Sequence, residues 1–209
     1  MKGKKIMSEN KTEYKIRNPK QKRSEDTKNK LKSAGKKLFS EKGYYNTSSN
    51  EIVKIAEVSI GTFYNYYNDK KELFIEILND YCRNIIGNIK INFIESKNDI
   101  KSLIEGYIVK VMHAHDASVE FHSEMMSLIY TDSQIRTVMN GYEKSVMESI
   151  EKMLIINKEH LKVTDFKSAS FIIYKMVEEV IHSIKIFNTE YDHTSLLKEL
   201  TDMICSYLT

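Results

Sequence analysis

The run from Thr47 to Tyr67, TSSNEIVKIAEVSIGTFYNYY, constrains this chain more than any other, because it reads as two short helices joined by a three-residue turn. Ser48 and Glu51 stand at capping-box spacing, which starts the first helix at about Ser48. Ile52, Val53, Ile55 and Ala56 give that helix an apolar side. Ser59 is an N-cap for a second helix, whose Ile60, Phe63 and Tyr67 fall at i, i+3, i+7 and are expected to pack inward. Gly61, Thr62, Tyr64, Asn65 and Tyr66 are then left on or near the free surface. The adjacent rings of Tyr64, Tyr66 and Tyr67 cannot all share one buried face, so at least one is exposed. Short, donor-rich, weakly charged side chains suit a helix pressed into the major groove of DNA. The expectation is a helix-turn-helix over about residues 47–66.

The rest of the chain is consistent with an all-α fold. Of 209 residues only one is proline and seven are glycine, so hairpin punctuation is nearly absent. The length allows one large or two small domains with a real core. No stretch approaches the ~18 apolar residues that a membrane span needs, so no membrane association is expected. The lysine-rich N-terminus lacks an apolar segment and a small-residue cleavage site, unlike a secretory signal. Cys82 and Cys205 match no zinc or redox spacing and read as reduced, packed thiols, so a cytoplasmic protein is expected, nucleoid-associated if the helix-turn-helix binds DNA. The net charge of +3 hides an asymmetry: residues 1–72 hold 18 Lys/Arg against 9 Asp/Glu, and residues 73–209 hold 14 against 20. A basic front and an acidic rear fit a molecule that meets phosphates at one end only.

Residues 1–23 are polar, basic and aperiodic, and are expected to form a disordered arm whose Lys20, Lys22 and Arg23 reach toward DNA. Order begins near Ser24. Leu31, Ala34, Leu38 and Phe39 mark a first helix ending at Gly43. Asp69 and Glu72 cap a long helix whose apolar stripe runs from Leu73 to about Ile94, past Ile89 and Phe93, bridging head to rear. Further helices are expected over about 100–113, 119–130 and 133–156, then one capped by Asp165 and a last one capped by Thr194. The head is placed at 24–84, and a regulatory and dimerisation domain at 85–209.

Ala34, Leu38-Phe39, Gly43-Tyr44, Thr47-Ser48, Ile52, the run Ala56 to Tyr67, Lys70 and Leu73 together resemble the N-terminal DNA-binding domain of the tetracycline-repressor (TetR) family of bacterial transcriptional regulators. The resemblance covers about residues 24–84. It implies a three-helix head joined by a long helix to a helical-bundle ligand-binding domain, in a homodimeric repressor that binds a palindromic double-stranded operator and a small-molecule effector. It further implies that Thr47, with Ser48 beside it, grips a phosphate at the start of the first helix. Ser59, Ile60, Gly61, Thr62, Asn65 and Tyr66 would face base edges or the groove wall, and Tyr64 and Lys70 the DNA backbone. Two positions depart from the family pattern. Glu57 stands in the turn where glycine is usual, at a cost of about 1 kcal/mol if φ is positive there. Ile60 replaces a basic or polar residue.

The rear half carries no nucleophile motif and no glycine-rich loop, so it reads as a non-enzyme without cofactor. Tyr107, Phe121, Met125, Tyr130, Tyr142 and Tyr174, with Met139 and Met147, are candidates to line a pocket for an apolar or amphipathic effector, although any one of them also reads as plain bundle core. His113, His115 and His122 with Asp116 and Glu120 or Glu124 are of metal-ligand type, but His113 and His115 do not share a helix face. They read as surface or pocket histidines with no metal. Apolar stripes on the last two helices exceed what one pair hides, and two copies packed as a four-helix bundle would cover them. The rival reading is a DNA-binding protein of this fold that answers to a protein partner or organises the chromosome.

Overall fold

A computed structural model describes residues 19–90, 99–116 and 119–209, and among these the chain forms nine α-helices and no strand. They are α1 (Pro19–Lys42), α2 (Ser49–Ala56), α3 (Ile60–Tyr64), α4 (Lys70–Lys90), α5 (Ile100–Asp116), α6 (Val119–Ile129), α7 (Ser133–Ile156), α8 (Phe166–Lys185) and α9 (His193–Leu208). Helix α1 starts five residues before the expected Ser24, so Lys20, Lys22 and Arg23 belong to a helix that opens on proline, a residue suited to a first turn. The arm before residue 19, and Phe93 and Ile94 at the end of the expected stripe, lie outside the described residues, as does the Asp116 side chain.

Local chemistry sets most boundaries. Ser48 and Glu51 complete the capping box, with the Ser48 Oγ accepting from Glu51 N–H and the Glu51 carboxylate accepting from Ser48 N–H at 3.0 Å. The Glu51 carboxyl is brought down to about 2, first by its hydrogen bond from Lys42 and then by those from Ser48. Ser59 caps α3 by accepting from Thr62 N–H at 3.1 Å. Asp132 and Asp165 cap α7 and α8 in the same way. Two cap signals compete at α9, and Asp192 prevails over the expected Thr194 because its carboxylate accepts from Ser195 N–H at 2.7 Å. Gly43 ends α1 with φ 81°, a left-handed conformation that glycine adopts without strain.

In the head, α1 packs against α2 and α4, and Phe39, Ile52, Phe63, Tyr67, Leu73 and Phe74 are fully or almost fully buried. Helix α1 also lies on α6, and α4 continues into the rear, where it meets α5 and α7. Helices α7 with α8, and α5 with α9, complete one continuous apolar core. A Cβ on Gly35 would lie 2.8 Å from Leu73 Cδ2, so α1 and α4 approach closely at that point. Lys28–Glu76 and Lys32–Asp80, both 2.8 Å, bridge the same seam at the surface.

Four expectations are corrected. Thr47 does not present its hydroxyl to a phosphate: it is 2% exposed and donates to the Gly43 carbonyl at 2.8 Å, with the Leu38 carbonyl 3.3 Å away. Lys70 does not reach outward either. Its ammonium donates to the carbonyls of Thr47 (2.6 Å) and Tyr44 (2.7 Å), with that of Tyr45 at 3.3 Å, and sits 4.5 Å over the Tyr44 ring. Partial burial lowers its pKa. It is a clasp on the α1–α2 loop. Ile55 and Ile60, expected to pack inward, are exposed, because Ile52, Val53 and Ala56 already fill the buried face of α2 and Phe63 alone plugs α3.

Glu57 adopts φ 56° and ψ 44°, a left-handed conformation that strains any residue with a Cβ. Glu57→Gly is therefore expected to stabilise the protein by about 1 kcal/mol, read as a higher urea midpoint. Lys70→Met strips three loop carbonyls of a charged donor and should destabilise by about 2 kcal/mol, seen as a lower thermal midpoint without DNA present. A residue that served only phosphate contact would leave that midpoint unchanged.

Candidate nucleic-acid interface and rear cavity

The turn residues Glu57 and Val58 and the cap at Ser59 aim α3 outward from the head. Phe63 anchors it from below, and Tyr67, just beyond its end, is buried beside Phe63 at 5.7 Å between ring centroids. The opposite side carries Ile60, Gly61, Tyr64 and Asn65, all exposed, with Tyr64 57% exposed. Asn65 is the C-cap of α3, and its side chain is engaged in no hydrogen bond among the described residues. Gly61 has only the Ser59 hydroxyl near a built Cβ, at 3.8 Å, so the backbone there is open to close approach.

Thr62 and Tyr66 are half-buried. The Ser59 and Thr62 hydroxyls are 2.8 Å apart, so each orients the other. The Tyr66 hydroxyl lies 2.9 Å from Ser24 Oγ on α1, which ties the end of the helix-turn-helix to the first helix. Ser48 is exposed, with its hydroxyl donating to Glu51 at 2.9 Å. A concave surface beside α3 is lined by Arg23, Thr27, Glu57, Thr62, Asn65 and Tyr66, and the neighbouring hollow adds Lys30 and Lys37 from α1. Sequence reasoning named Arg23 but missed Lys30 and Lys37, which share a side of α1 at i, i+7.

In the rear, Met125, Tyr130, Tyr142 and Tyr174 line a cavity of about 170 Å³ between α4, α6, α7 and α8. Tyr130 stands at its rim, 75% exposed. Tyr107 and Phe121 are buried but do not line it; Phe121 packs instead on Phe74 and Tyr81, at 5.3 and 5.7 Å between centroids. The lining is amphipathic, because His122, Glu143, Lys175, Glu178, Glu179 and His182 face it too. Cys82 lies in the same wall, buried with its thiol 3.9 Å from the Met139 sulfur, and burial pushes that thiol up to about 12. Behind the cavity, His115, His122 and His182 form a buried group around Glu178 that sequence reasoning did not assemble, since α8 supplies half of it.

Among the described residues, no helix is long and apolar enough to cross a membrane. Residues 31–77 match the family described as bacterial regulatory proteins, tetR family, and residues 99–208 match the tetracyclin repressor-like C-terminal domain. Over 52 residues the chain is 44% identical to the HTH-type transcriptional regulator QacR of Staphylococcus aureus, a match spanning 25% of this chain and 28% of QacR. The fold is shared with a TetR-family transcriptional regulator of Syntrophomonas wolfei, at TM-score 0.71 and 20% identity over 87% of this chain and 94% of that one. It is shared likewise with the fatty acid degradation regulator FadR of Bacillus halodurans, at TM-score 0.70 and 20% identity over 85% and 94%. With both halves matched and more than half of the chain covered by the C-terminal match alone, this protein belongs to the tetR family of bacterial regulatory proteins.

Proposed function

We propose that this regulator is a homodimeric repressor that lays α3 of each copy in the major groove of a partly palindromic operator and leaves it when a small molecule occupies the rear domain. The observation that carries this reading is the outward row Gly61, Tyr64 and Asn65, held in place by the Ser59 cap and the buried Phe63. In this reading Asn65 pairs bidentately with an adenine, and Ile60 meets a thymine methyl. Ser48, Ser59, Thr62, Tyr64 and Tyr66 serve the groove wall and phosphates, joined by Arg23, Lys30 and Lys37. Recognition helices about 34 Å apart would reach successive major grooves.

Two rows of exposed and half-buried apolar side chains support the dimer. Helix α8 presents the exposed Ile172 and the half-buried Met176 and Val180, with the exposed Phe187 just beyond its end, and α9 presents the half-buried Leu196 and the exposed Met203 and Tyr207. Two copies of this pair form a four-helix contact that removes them from water. An effector in the amphipathic cavity would act on the head through α4 and α6. Helix α6 reaches the head directly, since Glu124 accepts from Tyr44 N–H at 2.6 Å, and Lys71 on α4 pairs with Asp132 at 2.6 Å. A ligand that favours a different spacing of these helices shifts the population away from the operator-bound form.

Asn65→Ala is expected to lose about 1–3 kcal/mol of discrimination at one operator position, measured by comparing binding to the operator and to its single-base variants. Full retention of sequence preference would remove Asn65 from the readout. The double variant Ile172→Glu, Met203→Glu should sediment at half the mass of the parent protein. An unchanged mass would place the dimer contact elsewhere.

A further inference from the structure

Three imidazoles and one carboxylate converge in the rear half. His115 comes from α5, His122 from α6, and Glu178 and His182 from successive turns of α8. All four are buried, with relative exposures of 2, 5, 8 and 8%. His122 Nε2 and His182 Nε2 lie 3.0 Å apart, and Glu178 Oε2 lies 3.4 Å from His182 Nε2 and 3.5 Å from His115 Nε2. The three histidine ligand atoms fall within 4.8 Å of one another. Around an ion with bonds of about 2.0–2.1 Å, neighbouring ligand atoms are separated by roughly 3.0–3.4 Å, so two of these spacings are already those of a coordination shell and the third lies just beyond it.

The hydrogen bonds behind the cluster fit the same purpose. His115 Nδ1 lies 2.8 Å from the Val111 carbonyl, which only accepts, so Nδ1 carries a proton. In a neutral ring Nε2 then holds a lone pair, directed at a carboxylate oxygen. Two negative ends facing each other in a buried site require a cation between them or a proton on the ring. His122 Nδ1 is held by the Tyr81 hydroxyl at 2.8 Å, again leaving Nε2 toward the cluster. Both arrangements are the outer support that metal-bound histidines use. The second Glu178 oxygen, Oε1, is buried and has no hydrogen-bond partner among the described residues. His122, Glu178 and His182 also line the rear cavity, which supplies a way in.

We propose that His115, His122, His182 and Glu178 bind one divalent transition-metal ion per chain, bracing α5, α6 and α8 together. Three imidazoles with a single carboxylate select a borderline ion such as Zn²⁺, Co²⁺, Ni²⁺ or Fe²⁺ over Mg²⁺ or Ca²⁺, which prefer all-oxygen shells. Small rotations of the buried side chains close the widest separation onto the ion.

The test uses the full chain, stripped with a chelator and titrated with Co²⁺ and Zn²⁺ in the absence of DNA. One equivalent of Co²⁺ per chain should produce visible d–d absorption, and Zn²⁺ should displace it and raise the melting temperature. His182→Gln and Glu178→Gln should each weaken Zn²⁺ binding about 100-fold or more, while the exposed His113→Gln leaves it unchanged. A folded parent protein that shows no Co²⁺ absorption and no Zn²⁺-dependent change in melting temperature overturns the site in favour of a buried imidazolium–carboxylate pair. Stoichiometric binding that survives both substitutions overturns the assignment of ligands.

Discussion

Phe74, one turn into α4, is the ring on which head and rear are joined. It meets Phe39 and Tyr44 of the head at 5.2 and 5.4 Å between centroids, and Phe121 of α6 at 5.3 Å on its other side. Phe121 passes the contact to Tyr81, and Tyr81 to His122. Each fully buried ring contributes about 1.5–3 kcal/mol by leaving water, and edge-on pairing adds to that. The more important property is incompressibility. Rings packed at crystal-like density do not absorb a displacement of α6 but transmit it to the loop at Tyr44, where Lys70 and Glu124 also hold the backbone.

What the sequence made legible is chiefly what short-range chemistry decides. The Ser48–Glu51 box, the Ser59 cap and the span Ser133–Ile156 follow from hydroxyl and carboxylate groups a few residues from the N–H groups they serve. Glu57 was legible as an anomaly for the same reason, since a turn of that length needs a left-handed residue. The roles of Thr47 and Lys70 were not. Nothing local says that the carbonyls of residues 44 and 47 gather 23 or more residues upstream of an ammonium. A threonine hydroxyl at a helix start reads alike whether it faces a phosphate or a buried carbonyl.

The rear half shows the same divide more sharply. His113, His115 and His122 stood out in sequence, but His113 and His115 share no helix face, so they implied no site. Their partners lie some 60 residues on, at i, i+4 on α8, where Glu178 and His182 look like ordinary polar residues on an amphipathic helix. Aromatic side chains misled in the opposite direction: Tyr107 and Phe121 had the chemistry of pocket walls and became core. Only tertiary packing separates a ring that lines a space from one that fills it.

The seating of α1 bears on how such proteins can be recombined. Its Leu31, Ala34, Leu38 and Phe39 are buried, but part of their cover comes from Leu73, Phe74 and α6, not from the helix-turn-helix alone. A chimera that cut the chain after Tyr67 would bare that seam to solvent and leave Gly35 facing a void. If α3 reads the operator as proposed, grafting its exposed positions leaves this seam intact, whereas a swap of whole halves has to carry the first turns of α4 and the facing side of α6 along with it.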